Sequence, residues 1–381
     1  MRSVFWPTAV LLGTLASPLV ACLWDSDTLE MERRRFPTAL NLITGKFLRH
    51  SPEFYRWRIK NRLERLQTRA DDPKLLDDLA VAYDKTGQHQ RAIETMLDND
   101  DRVPGRYETY ANLGTFYIHA ADLEEGLNWI GKAIAINPDA HFGREVYQEL
   151  LVRYVISRRT KGSQSLNLPM GAQDDPSSRA VSFAGFVRDQ RSGTEKPNPD
   201  RFHAATQGIL GMMRFGHFDS PVLLEALGDL LLADLNQDAK RLAARAYLKA
   251  SYAVETPQAR AAYRQRAKDA LAMQTRNANT TQPLDLAALE RRFQTELKDA
   301  AAWYAAVQSD ETKWIAAGED ADLKFSQKYY RAPSVTSAQA NSVHSLPRTI
   351  QQWPTSMIAI VCGVLAVSLG VIGLRWRKKQ H

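Results

Sequence analysis

Cysteine is almost missing. The chain of 381 residues holds two, Cys22 and Cys362, one in each terminal apolar segment. Everything between them lacks a thiol, which excludes a disulfide framework and a cysteine-ligated structural zinc site. Uninterrupted apolar runs are absent from the middle of the chain, and mean hydropathy is −0.39. Acidic residues are slightly outnumbered: 50 Lys and Arg against 43 Asp and Glu leave a formal charge of +7. So mild an excess describes a solvated surface, or one that meets anionic lipid or cell-wall polymer; nucleic acid is not an expected partner. His203 and His217 share no ligand face and have no carboxylate at metal-site spacing, so no metal is expected, and nothing in the chain announces a cofactor. Apolar residues make up 44%, enough for one large core or for a run of repeated units.

Repetition is what the middle of the chain offers. Leu76, Leu79, Ala80, Tyr83, Gly87, Ala92, Met96 and Pro104 recur, offset by 34 residues, as Tyr110, Leu113, Gly114, Tyr117, Ala121, Gly126, Ile130 and Pro138. Each copy reads as two helices with small residues where they cross. Gly87 suits a helix-ending turn, Asp122 with Glu125 reads as a capping box, and Pro104 and Pro138 stop the second helices. Asn99 departs from the pattern, standing where a small apolar residue is usual. The period and these positions resemble the tetratricopeptide repeat (TPR). The resemblance implies an all-α fold, a right-handed solenoid of helical hairpins whose neighbours share a core. It also implies a partner groove on the free face of each first helix, here Asp77, Val81, Asp84 and Lys85, then Glu108, Ala111, Thr115, Ile118 and His119. Chaperone-binding members clamp a terminal carboxylate with lysine and asparagine there. Asp77 and Val81 occupy those places and only Asn112 fits, so that ligand is not expected.

The two ends carry signals. Residues 1–22 read as an export signal whose last four, Leu19-Val20-Ala21-Cys22, resemble a bacterial lipobox; the resemblance implies lipidation of Cys22. Residues 354–375, bounded by Trp353 and Trp376, hold the uncharged apolar run Met357 to Leu374 and lead into the basic tail 376–381. They read as a C-terminal transmembrane helix with the tail in the cytoplasm. Together the ends imply a bacterial cytoplasmic-membrane protein with one span and its bulk outside the cytoplasm. Leu346-Pro347-Arg348-Thr349 resembles the start of a sortase signal, but Ile350 stands where that signal requires glycine.

The remaining segments fall into order around the repeats. Residues 23–35 are a polar tether. Residues 36–72 are capping helices, with Phe54, Trp57, Leu63 and Leu66 as an apolar face and arginine stems along its edge. Repeats extend over 73–160, with Tyr147 and Leu151 opening a third unit. Residues 161–200 read as a flexible insertion with one docked island, Ala180 to Val187. Residues 201–273 are degenerate repeat-like helices: Leu224, Leu227, Gly228 and Leu231 echo a first helix, and Ala243, Tyr247 and Ala250 a second. Residues 284–330 close the stack as a long helix or hairpin, and 331–353 form a linker. The expected function is a membrane-anchored scaffold that binds an envelope protein or polymer, not an enzyme. One alternative is a tether between the membrane and another envelope layer. Another is a phosphatase, because Asp25-Ser26-Asp27-Thr28 resembles the haloacid dehalogenase nucleophile motif; that chemistry needs a strand ending at Asp25, and no alternating strands follow. A calcium cluster of Asp25, Asp27, Glu30 and Glu32 lacks the glycine turn and spaced ligand loop such a site uses.

Overall fold

Local rules place the first helices. The computed structural model describes residues 39–140, 143–160, 165–172, 182–190, 199–233, 237–275 and 285–330. After a short helix, α1 (Ala39–Thr44), Ser51 caps α2 (Pro52–Leu66) by accepting from the Phe54 amide at 3.1 Å, with Pro52 in the first turn. Asp72 caps α3 (Pro73–Lys85) in the same way. α4 (His89–Arg102) completes the first hairpin; α5 (Tyr107–His119) and α6 (Leu123–Ile136) form the second. Both second helices end one residue short of the residue that precedes proline.

The turn inside each hairpin is the same device twice. After α3, Gly87 takes φ +78°, its amide reaches Asp84 O at 2.9 Å, and the Gln88 amide reaches Tyr83 O at 2.9 Å. After α5, Ala121 takes φ +67°, with its amide on Ile118 O at 3.0 Å and the Asp122 amide on Tyr117 O at 2.9 Å. This is the Schellman closure, which favours glycine at the left-handed residue. Ala121 therefore carries strain that Gly87 does not. Ala121→Gly is expected to raise stability by about 1 kcal/mol, read as a higher urea midpoint at unchanged slope, because the left-handed cost of a Cβ, about 1–2 kcal/mol, exceeds the extra backbone entropy of glycine.

Small residues let the paired helices close up. A Cβ on Gly114 would lie 2.6 Å from Ile130 Cγ1 and 3.0 Å from the Ile130 amide; one on Gly126 would lie 2.6 Å from Ile118 Cγ1. Ala80 and Ala92 hold the equivalent places in the first hairpin and are fully buried. The Asn99 departure has a partner: its Nδ2 donates to Asp77 Oδ1 at 3.1 Å, and Asp77 also receives Arg106 at 2.7 and 3.1 Å.

The third unit departs from the pattern. α7 (Arg144–Arg158) packs on α6, and Leu151 is buried as expected. Its antiparallel mate is not the next stretch of chain but α9 (Pro199–Phe215), which crosses it with Gly208 against Tyr147 and Gly211 against Arg144. The segment between them is more docked than expected. A 3-10 turn, Met170–Ala172, buries Met170, and α8 (Phe183–Asp189) buries Phe183 and Val187. α10 (Pro221–Ala233) and α11 (Gln237–Ala253) then form the expected degenerate hairpin, with Gly228 beneath the Tyr247 ring. α12 (Pro257–Thr275) lies along α11.

The capping helices are closed by the other end of the chain. α13 (Leu286–Ala316), a single helix of 31 residues, touches α1 and α2 as well as α11 and α12. Its buried Glu311 accepts from the Ser51 amide at 2.9 Å and from His50 Nδ1 at 2.6 Å, while Tyr304 donates to His50 O at 2.9 Å. α14 (Ala321–Phe325) and a π-helical turn, Ser326–Tyr330, follow. On α2 the expected apolar face holds only in part: Phe54 is fully buried and Leu66 packs on the repeat core. Leu63 is 44% exposed, whereas Arg58 and Arg62 are buried, because Asp322 of α14 and Asp78 of α3 reach in to neutralise them.

Among the described residues helices account for the architecture and no strand forms, so the chain is all-α. The expectation of a membrane-held chain needs correction: no described helix is long and apolar enough to cross a membrane. α13 has the length, but Glu290, Arg291, Arg292, Glu296, Lys298 and Asp299 occupy its first turns. The segment 354–375, Cys22, Asp25, Asp27 and the motif at 346–349 lie outside the described residues.

Candidate functional site

The face predicted as a partner groove is already full. Of its residues Asp77, Val81, Asp84, Ala111, Thr115, Ile118 and His119 are buried; Lys85 and Glu108 are half-exposed. Asp77 is held by Arg106, with Glu108 3.6 Å from the same guanidinium. Val81 is part of the small core that the two hairpins share. Ile118 fills the crossing at Gly126, and Thr115 receives Gln148 of α7 at 3.4 Å. The expected open groove is thus corrected: Asp77 and Val81 are covered by residues of the hairpins themselves, and Thr115 and Lys85 by later parts of the chain.

One occupant is the turn that follows α9. Lys85 donates to Phe215 O at 2.6 Å and Gly216 O at 3.0 Å, satisfying carbonyls that the end of a helix leaves open. From the other side the Phe218 ring lies against Gly45, where a Cβ would come within 2.6 Å. Arg49 and Lys249 stand over that ring at 4.6 and 4.1 Å. Lys249 also donates to Ile43 O at 2.7 Å. Burial pulls its pKa from 10.5 down to about 8. Between those values the unfolded chain holds a proton that the folded chain has given up, so this lysine makes stability rise as pH rises through the window. Lys249→Met is expected to remove that slope, roughly 3 kcal/mol across it, measured as the difference between wild-type and variant urea unfolding at each pH.

At the end of the same face four ionisable side chains converge from four elements. Asp84 is in the last turn of α3, His89 begins α4, His119 ends α5, and His217 sits in the turn after α9. His119 Nδ1 lies 2.8 Å from both Asp84 oxygens, and His89 Nδ1 lies 2.8 Å from Oδ1. An ionised carboxylate only accepts, so both Nδ1 atoms carry the proton. Burial alone would raise the Asp84 carboxyl, but the His119 and His89 rings outweigh it and hold the group well below the usual carboxylate range. The Asp84 hydrogen bond raises the His89 imidazole. His217 meets the His119 ring edge-on at 5.3 Å between centroids. Burial pushes its pKa down to about 3, with the His119 and Lys85 charges adding to the effect.

Asp84, His89 and His119 can hold a metal ion, since one ligating atom from each lies within 4.8 Å of the others. Sequence reading placed Asp84 and His119 on a shared face but did not join them to His89 and His217. The local signal was a histidine just inside the hairpin turn, five residues after a buried aspartate. His203 is exposed and stands apart from the cluster. Compared with protein-family models, with curated proteins and with solved structures, the chain matches none.

Proposed function

We propose that the chain is a protein-binding scaffold of TPR-like helical hairpins, stacked as a right-handed solenoid, whose concave face is occupied by its own chain and whose partner docks on the outer helices. The observation that carries this reading is the seating of the turn after α9 on α3 and α5 through Lys85. The hairpin face grips a polypeptide by its backbone carbonyls, and here the grip is spent within the molecule. The surface left for a partner is that of α4 and α6. Val103 and Ile136, at the ends of these helices, are 38% and 46% exposed. Lys132 stands 3.4 Å over the Trp129 ring beside Tyr110. Aromatic and aliphatic anchors rimmed by charge are what a protein interface uses.

The test is site-specific photocrosslinking in the producing cell, with the crosslinker at Lys132 and, as a control, at Asp299 on α13. A discrete adduct from Lys132 that disappears with Ile136→Asp and with excess purified chain supports the reading. Equal adduct yields from both positions, or none from Lys132, overturn it.

A further inference from the structure

We propose that Asp84, His89 and His119 form a binding site for a divalent transition-metal ion of the zinc type, so that the ion clasps the turns of the two repeat hairpins to each other. The inference goes beyond the scaffold reading and does not depend on it.

The donor set is the first argument. Two imidazoles and a carboxylate suit zinc and its neighbours and do not suit calcium or magnesium, which prefer oxygen throughout. The spacing is the second. The present Nδ1–oxygen contacts of 2.8 Å are hydrogen bonds. Ligands on a tetrahedral ion at about 2.0–2.1 Å stand roughly 3.3 Å apart, so the cluster must open by about half an ångström. Each ring gives up the proton on Nδ1 and keeps or takes one on Nε2, which turns a donor into a ligand and releases a proton wherever the ring was charged. The third argument is preorganisation. Asp84 is in the last turn of α3 and His119 is the last residue of α5, each fixed by the paired turn that closes its hairpin, and His89 opens the helix that follows. The side chains of Asp84 and His119 are fully enclosed, while that of His89 is 29% exposed. Of the three ligands only His89 reaches solvent, and the two enclosed side chains lie behind it.

Charges around the cluster neither forbid the ion nor replace it. Lys85 is adjacent in sequence, and its ammonium is engaged by the Phe215 and Gly216 carbonyls. The fourth position is left to solvent: His217, the next ring beyond His119, is not among the side chains whose ligating atoms converge. An ion held by the three ligands joins α3 and α4 of the first hairpin to α5 of the second.

The experiment uses the full chain, stripped with chelator, and titrates zinc(II) and cobalt(II) directly. One equivalent is expected to bind, with a cobalt ligand-field spectrum of a low-coordinate nitrogen and oxygen site. His89→Ala changes the most exposed member of the cluster. It is expected to fold, checked by circular dichroism, and to weaken zinc binding at least about 100-fold, because losing a ligand exceeds the 10–100-fold cost of losing a supporting contact. His203→Ala is the control and should bind as wild type. His217→Gln, a neighbour outside the ligand set, should also keep binding. No saturable binding by the wild-type chain, or equal affinity in His89→Ala and His203→Ala, overturns the site. These outcomes are independent of any partner crosslink.

Discussion

Asp322→Ala is expected to lower unfolding stability by about 3 kcal/mol and to loosen the C-terminal helices from α2, whereas Arg58→Met should cost far less. One carboxylate holds two buried guanidiniums: Arg58 Nη2 at 2.6 Å from one oxygen and Arg62 Nη2 at 2.5 Å from the other. The Arg58 and Arg62 side chains are 0% and 4% exposed, while that of Asp322 is 23% exposed. Removing the acid leaves both cations buried with less compensation, although Arg62 keeps Asp78 at 2.9 Å. Breaking a buried pair from one side costs about 3–5 kcal/mol, and the partial exposure here selects the lower end. Removing Arg58 is different. Asp322 retains Arg62, and a methionine fits beside the Phe54 ring, which now lies 4.5 Å from the guanidinium carbon. Urea unfolding of the two variants decides the matter. Equal losses would mean that contact number, not stranded charge, governs this junction. Hydrogen exchange over 286–330 should rise in Asp322→Ala alone.

The repeats were legible because their information is local. A hairpin needs small residues at the crossing, a left-handed residue in the turn and a proline after the second helix. Gly114 with Gly126, Gly87 with Ala121, and Pro104 with Pro138 show all three at one period. The inner face was not legible for the opposite reason. Whether Asp84 or Thr115 faces solvent is decided by Gln148 of α7 and by Phe215 and His217, which follow a long insertion. The arginines of α2 read as an amphipathic edge because their acids lie elsewhere: Asp78 on the next helix and Asp322 more than 250 residues away. One signal was present and went unused. In α10 two acids, Glu225 and Asp229, sit one turn apart within an otherwise apolar helix. Carboxylates are rarely buried without partners, so such a pair demands donors from other elements. Those donors turn out to include Arg266 and the backbone of the insertion.

That pair is the basis of the largest expected effect in the molecule: Glu225→Leu should cost about 4–5 kcal/mol and release the segment 165–172. Glu225 is fully buried. One of its oxygens accepts from the Met170 amide at 2.9 Å and the Tyr263 hydroxyl at 2.6 Å; the other accepts from the Gly171 amide at 3.0 Å and Arg266 at 3.0 Å. Asp229, one turn on, takes the Phe183 amide at 2.8 Å, the Tyr247 hydroxyl at 2.7 Å and Arg266 at 3.3 Å. The two acids therefore hold both docked pieces of the insertion by their backbones, and one arginine serves the pair. Burial raises the Asp229 carboxyl and the neighbouring Glu225 charge adds to it, while Arg266 opposes both. Leucine in place of Glu225 fits the apolar surroundings but strands two backbone amides, a phenol and part of a guanidinium. Each stranded group costs about 1–3 kcal/mol, and Arg266 recovers some of this through Asp229, which sets the total below the simple sum. Glu225→Gln keeps the shape and one acceptor but points an amide N–H at donors, so about 3 kcal/mol is expected. Limited proteolysis separates local from global loss. Cleavage within 165–172 should rise in both variants under conditions where the repeat hairpins stay intact. A Glu225→Leu chain as stable as wild type, with that segment still protected, would show that Met170 is held by its apolar contacts and that the carboxylate is dispensable.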